Sequence, residues 1–166
     1  MNSRIDIDSA FASWNDGEPI EAGRLIFESI KKQDQPAWAA NVLQRVVDRT
    51  GIKSIVIENI LRCAKSPQDW NGGHKAFSLA REATLKLEES GNLSVEQELL
   101  LCTLLLAELV AKVTYNATDP VDEFDEDSGW WIAVCLKDIL QLIGDDKFSE
   151  VMWAALCFKE RDASGE

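Results

Sequence analysis

Residues 94–115 read SVEQELLLCTLLLAELVAKVTY and form the most apolar helical pattern of the chain. Ser94 followed by Gln97 is a capping box, which predicts that a helix begins here. In the middle of the segment, only Cys102 and Thr103 interrupt a run of leucine and alanine. A helix that is apolar nearly all round is buried among other helices. The segment is therefore predicted to be a central helix around which the rest of the chain packs.

The flanking segments repeat apolar residues with the period of a helix and are separated by short polar loops. Proline and glycine mark several of the ends. The β-branched residues 55–57 would also suit a short buried strand. The predicted helices cover 19–33, 36–50, 52–65, 74–89, 94–115, 129–143 and 146–160, with a further helix over 3–14. We predict an all-α fold of seven or eight antiparallel-packed helices, either a compact bundle or a short helical-repeat (solenoid-like) array.

A chain of 166 residues is long enough to bury a core, which predicts a single all-helical domain over 1–166. The tetrapeptide Trp-Asn-Asp-Gly at 14–17 is echoed by Trp-Asn-Gly-Gly at 70–73, which is predicted to be a turn. One interpretation is a duplication of a three-helix unit over 14–65 and 70–143. The other is chance, because turns select Asn and Gly on their own.

The formal net charge of −12 is unevenly distributed. Residues 1–83 hold 11 basic and 11 acidic side chains, whereas residues 84–166 hold 6 basic and 18 acidic ones. Such a surface repels phosphate backbones, so we expect no nucleic-acid partner. It favours a basic protein partner or cations, although net charge also serves solubility alone.

The sequence predicts a cytoplasmic protein that does not associate with membranes. No apolar run is long enough to span a bilayer, and the first residues, MNSRIDID, do not resemble a secretory signal. The four cysteines show no CxxC pair and lie in apolar helical segments. They are predicted to be reduced and buried, with no zinc site.

Catalytic motifs are scarce, and we predict no cofactor and no catalytic residues. The chain has one histidine, His74, and neither a nucleotide-binding glycine loop nor a nucleophile elbow. His74 is interpreted as a turn residue at a helix start, where anion binding is the alternative. Glu108 lies in the apolar helix four residues before Lys112. We expect an ordinary surface ion pair, the alternative being a buried carboxylate that acts as an acid or base.

The segment 119–127, here called the acidic run, holds six acids in nine residues and no basic residue. Its spacing does not match the calcium-binding loop of an EF-hand, because Gly129 comes one place early and Leu136 stands where the final glutamate belongs. In the helix that follows, a helical projection places Trp130 opposite the core face, with Trp131 at the margin. Trp130 is then either covered by the acidic run folding back, with Phe124 helping to hold it, or exposed. An exposed indole beside carboxylates is typical of a site that binds a basic protein.

The function predicted from the sequence is that of a non-enzymatic acidic helical protein-interaction module that binds a basic protein partner. A carboxylate-based, divalent-metal-dependent enzyme or regulator is one alternative. A structural subunit of a homo-oligomer, with Trp130 buried between chains, is another. The residues predicted to bind the partner are Asp119, Asp122, Glu123, Asp125, Glu126, Asp127 and Trp130.

Overall fold

The computed structural model describes residues 18–66, 70–118 and 128–144. These ranges contain no strand. They form six α-helices and one short 3₁₀-helix: α1 (Pro19–Ser29), the 3₁₀-helix (Lys32–Asp34), α2 (Gln35–Thr50), α3 (Ile55–Lys65), α4 (Trp70–Glu89), α5 (Val95–Thr118) and α6 (Ser128–Ile143). The predicted all-α class is confirmed. The described part of the chain holds fewer helices than the seven or eight predicted, and the predicted helices over 3–14 and 146–160 lie outside it.

Helix α5 occupies the centre, as predicted, and packs against α2, α3, α4 and α6. Leu106, Ala107 and Val110 of α5 are fully buried. Helix α1 packs mainly on α6, although the two are far apart in the sequence. In a helical-repeat array each unit contacts only its neighbours. Packing around one central helix therefore favours the compact bundle.

Local signals set several helix ends where the sequence predicts them. The Ser94 hydroxyl accepts from the Gln97 amide at 3.2 Å, and the Gln97 side-chain oxygen accepts from the Ser94 amide at 2.9 Å. This is the predicted capping box at the start of α5. Helices α2 and α6 end at Gly51 and Gly144, whose φ angles of 72° and 65° favour glycine.

The predicted end of α1 is wrong, because the helix stops at Ser29 and not at residue 33. Ile30 is extended, and a side chain from the next helix satisfies the backbone groups left open there. Gln35 Nε2 donates to the carbonyl oxygens of Phe27 and Ile30, at 3.3 Å each. A tertiary contact thus replaces the last predicted turn.

The segment 70–73 is also not the predicted turn, because it forms the start of α4. Gly73 is buried there, and a Cβ added to it would lie 2.8 Å from Cβ of Tyr115 on α5. The glycine therefore serves close packing between two helices. Residues 14–17 lie outside the described part of the chain, so the duplication stays a prediction.

The segment 55–57, which would also have suited a strand, lies in α3, and this helix buries Ile57 and Ile60 in the core. Ser54 caps this helix through its hydroxyl, which accepts from the Ile57 amide at 3.4 Å. None of the described helices is both long and apolar enough to cross a membrane.

Candidate functional site

Two adjacent indoles are exposed at the start of α6. Trp130 is 37% exposed and Trp131 47% exposed. Their rings meet edge to face, with centroids 4.6 Å apart and an interplanar angle of 88°. The projection correctly predicts that Trp130 points away from the core, where Ile132 and Leu136 are buried. Trp131, which is predicted at the margin, is the more exposed of the two.

The indole pair stands on a tightly packed support. Ser128 and Gly129, which precede the indoles, are buried. A Cβ added to Gly129 would overlap the Phe27 side chain on α1, and one added to Gly23 would lie 2.5 Å from Cβ of Ala133. Small residues let the backbones of α1 and α6 approach this closely. The start of α6, and with it the direction of both indoles, is therefore held by packing.

The acidic run lies outside the described residues. In the chain it joins Thr118, the last residue of α5, to Ser128, the first residue of α6. Its six carboxylates are therefore covalently tied to the helix end that carries the indole pair. The partner-binding role of Asp119, Asp122, Glu123, Asp125, Glu126, Asp127 and Trp130 stays a prediction.

Trp131 also lines a groove between α4, α5 and α6, with a volume of about 410 Å³. Helix α5 forms the floor, and α4 and α6 form the walls. Most of the lining residues are apolar, and four of them are charged. The lining residues are Phe77, Arg81, Leu105, Glu108, Leu109, Lys112, Trp131, Val134, Cys135 and Asp138.

Glu108 is a buried carboxylate on the floor of this groove, only 5% exposed. Its Oε2 accepts from the Thr84 hydroxyl at 2.9 Å, and Arg81 Nη1 lies 3.4 Å from its Oε1. The predicted surface pair with Lys112 is therefore wrong. Because α4 packs on this side of α5, the carboxylate is enclosed and finds its partners on α4 instead.

The groups that contact Glu108 hold its side chain in place and do not by themselves form a catalytic pair with it. The Thr84 hydroxyl is equally close to the Ala80 carbonyl oxygen, at 2.9 Å, so two acceptors share its single proton. Cys135 is the cysteine that lines the groove. Burial, helped by Cys102, Asp138 and Glu108, raises the pKa of Cys135 to about 12, which keeps it protonated and unreactive at neutral pH.

His74 is not at a helix start, contrary to the prediction, because α4 begins at Trp70. Its amide therefore lies beyond the first four residues, whose amides are open at a helix start. The imidazole stacks on the Tyr115 ring, with centroids 3.8 Å apart and an interplanar angle of 18°. The geometry gives it a packing role between α4 and α5.

The cysteines match their prediction in part. Cys135 is buried, whereas Cys63 and Cys102 are half-buried. Cys157 lies outside the described residues. Within 18–66, 70–118 and 128–144, no three His, Cys, Asp or Glu side chains are grouped so that they could hold a metal ion.

Residue patterns along single helices contain a signal for the groove. Leu105, Glu108, Leu109 and Lys112 repeat with helical spacing on α5, and Trp131, Val134, Cys135 and Asp138 do so on α6. Each stripe reads as part of an ordinary helix face. Only their packing side by side shows that both line one groove.

Comparisons with protein-family models, curated proteins and solved structures gave no match to this chain. A function for this chain is therefore inferred from the chemistry of the indole pair, the acidic run and the groove.

Proposed function

We propose that this protein is a non-enzymatic interaction module that binds a basic surface of a partner protein. Trp130, Trp131 and the acidic run form the binding site. The observation that carries the proposal is the exposure of two neighbouring indoles, 37% and 47%, on a helix start that directly follows six carboxylates.

The chemistry of these groups suits lysine and arginine side chains. Indole faces attract cations within about 6 Å of the ring centre. Tryptophan is also enriched among the residues that contribute most to binding at protein interfaces. Clustered carboxylates steer a basic partner towards the site and raise its association rate. Because close packing against α1 holds the start of α6, little conformational entropy is lost when the indoles bind.

The test is capture of a partner from a lysate, followed by titration of the purified partner. One site variant carries D122K, D125K and D127K, and a second carries W130A. The matched control carries E88K, E89K and E96K, which make the same charge change at three exposed positions elsewhere. We expect the wild type and the control to bind a protein with a basic surface, and both site variants to lose it.

Equal binding by the site variants and the control would reject the site. The same preparations distinguish the two alternatives that the sequence leaves open. Heat released on titration with Ca²⁺ or Mg²⁺, together with a higher melting temperature, would favour the metal-dependent protein. A stable dimer in which Trp130 is protected would favour the homo-oligomeric subunit.

A further inference from the structure

The groove between α4, α5 and α6 has the size of a small-molecule site. Its volume of about 410 Å³ falls within the range of ligand pockets, roughly 300–1,000 Å³. Apolar side chains from all three helices line it, and those of Phe77, Leu105, Leu109 and Val134 are half-buried. A ligand that covers their remaining apolar surface removes it from water, which favours binding.

Each wall of the groove carries one aromatic side chain, Phe77 on α4 and Trp131 on α6. Both rings are held by edge contacts with a neighbour. Phe77 meets Tyr115 with ring centroids 5.8 Å apart and an interplanar angle of 84°, and Trp131 meets Trp130 as described above. Aromatic rings pack favourably on one another, so these walls favour an aromatic ligand.

Glu108 is the polar group of the groove that points to a ligand. It is only 5% exposed, yet it belongs to the lining. Its Oε1 has Arg81 Nη1 at 3.4 Å, and its Oε2 shares the single proton of the Thr84 hydroxyl with the Ala80 carbonyl oxygen. A carboxylate can accept about four hydrogen bonds, and the described part of the chain supplies it with no further donor. A ligand hydroxyl or N–H would use the remaining acceptor capacity.

The charges of the groove favour a neutral ligand. Arg81 and Lys112 are positive, Glu108 and Asp138 are negative, and their formal charges cancel. A charged ligand is attracted by one of these pairs and repelled by the other, and it also loses hydration when it enters an apolar groove.

We propose that the groove binds an uncharged aromatic compound that carries a hydrogen-bond donor. The ring system packs against Phe77 and Trp131, and its hydroxyl or N–H donates to the Glu108 carboxylate. This site goes beyond the proposed function, because its ligand is a small molecule and its residues all lie within α4, α5 and α6.

The test is equilibrium dialysis of the full chain against matched probes. The first probe is β-naphthol, and the second is its methyl ether, which has the same rings and no donor. Two charged probes, β-naphthoate and β-naphthylmethylammonium, keep the ring system. The site variant V134F fills part of the groove, and the matched control V95F makes the same change at a residue that is 64% exposed and does not line it.

We expect β-naphthol to bind the wild type and V95F equally, and V134F to lower its affinity at least about tenfold, because the added ring occupies the ligand's space. The methyl ether should bind the wild type about tenfold more weakly, because it cannot donate to a carboxylate. In E108Q this preference for β-naphthol should shrink, since an amide oxygen accepts a weaker hydrogen bond than a carboxylate does. Circular dichroism checks that the variants are folded, and the comparison of β-naphthol with its ether needs the wild type alone.

Four outcomes would overturn the proposal. No binding of β-naphthol, or equal binding by V134F and V95F, overturns the groove as the site. Equal binding of the ether to the wild type, or an unchanged preference in E108Q, overturns Glu108 as the acceptor. Tighter binding of either charged probe overturns the neutral ligand. The capture experiment uses variants outside the groove, so it decides the proposed function independently.

Discussion

Thr84 and Glu108 show how one buried polar contact joins two helices. The hydroxyl is on α4 and the carboxylate is on α5, and both side chains are buried. A buried carboxylate is costly unless it is hydrogen-bonded or paired. Here a hydroxyl and a guanidinium share that task, and Arg81 remains half exposed to solvent, at 56%.

The variant T84V should lower the free energy of unfolding by about 1–3 kcal/mol, because it leaves a buried carboxylate with one donor fewer. T103V is the matched control. Thr103 is equally buried, but its hydroxyl bonds to the Leu99 carbonyl oxygen of its own helix. Urea unfolding followed by circular dichroism measures both. An equal loss in the two variants would contradict a special role for the contact with Glu108.

Cys135 should resist alkylation in the folded protein. Burial raises its pKa to about 12, so very little of the reactive thiolate is present at pH 8. Iodoacetamide followed by peptide mapping should modify Cys135 only after unfolding in guanidinium. Alkylation of Cys135 at the same rate in the folded and unfolded chain would contradict its burial.

The same thiol makes stability depend on pH in the alkaline range. The pKa of Cys135 is higher in the folded protein than the ordinary value of 9.0, so the folded state binds more protons above pH 9. Stability contributed by this group should therefore fall as the pH rises from about 9 to 12. C135A should reduce the slope of unfolding free energy against pH in that window.

At the scale of elements, the packing of α1 against α6 fixes the position of the indole pair. The two helices meet at Gly23, Gly129 and Ala133, and a Cβ added to either glycine has no room. Helix α6 is otherwise joined to the rest of the described bundle through its packing on α5. The crossing therefore holds the first turn of α6, which presents the indole pair.

The variant G23A should destabilise the protein by about 1–3 kcal/mol, because its Cβ would lie 2.5 Å from Cβ of Ala133. Adding A133G to G23A removes that atom and should recover part of the loss. A double-mutant cycle by thermal or urea unfolding gives the coupling between the two positions. Additive effects would show that the helices do not meet at this point.

The whole molecule carries a net charge of −12, and residues 84–166 account for all of it. Repulsion among these acids opposes the compact state and is screened by salt. Under the proposed function, the same negative charge attracts the basic partner. Stability and binding should therefore respond to salt in opposite directions.

Raising NaCl from about 0.01 M to about 0.15 M shortens the Debye length from about 30 Å to about 8 Å. The melting temperature of the free protein should rise over this range, and the affinity for the captured basic partner should fall. The variant E88K/E89K/E96K, which halves the net charge, should show a smaller rise in melting temperature. A melting temperature that falls with salt would contradict net repulsion.

Much of the fold could be predicted from local patterns. The capping box at Ser94, the glycines that end α2 and α6, and the central position of α5 all follow from residues close together in the chain. The predictions for the end of α1 and the segment 70–73 failed where a residue from another helix intervened. Gln35 satisfies the end of α1, and Tyr115 packs against Gly73.

The candidate site, like the fold, could be predicted from the sequence only in part. The outward direction of Trp130 could be predicted, since a helical projection uses the residues of one segment alone. The groove and the burial of Glu108 could not, because they depend on which helices lie beside α5. Thr84 and Glu108 are 24 residues apart, and no periodicity along one helix connects them.

Helix periods, caps and the charge excess are thus determined by residues that are close together in the sequence. Their backbone preferences and hydrogen bonds act over one or two helical turns. The packing of the helices determined which helix faces are buried. It formed the groove between α4, α5 and α6, enclosed one carboxylate and left two indoles partly exposed. Burial is shared between residues distant in the chain, so only the assembled helices could settle it.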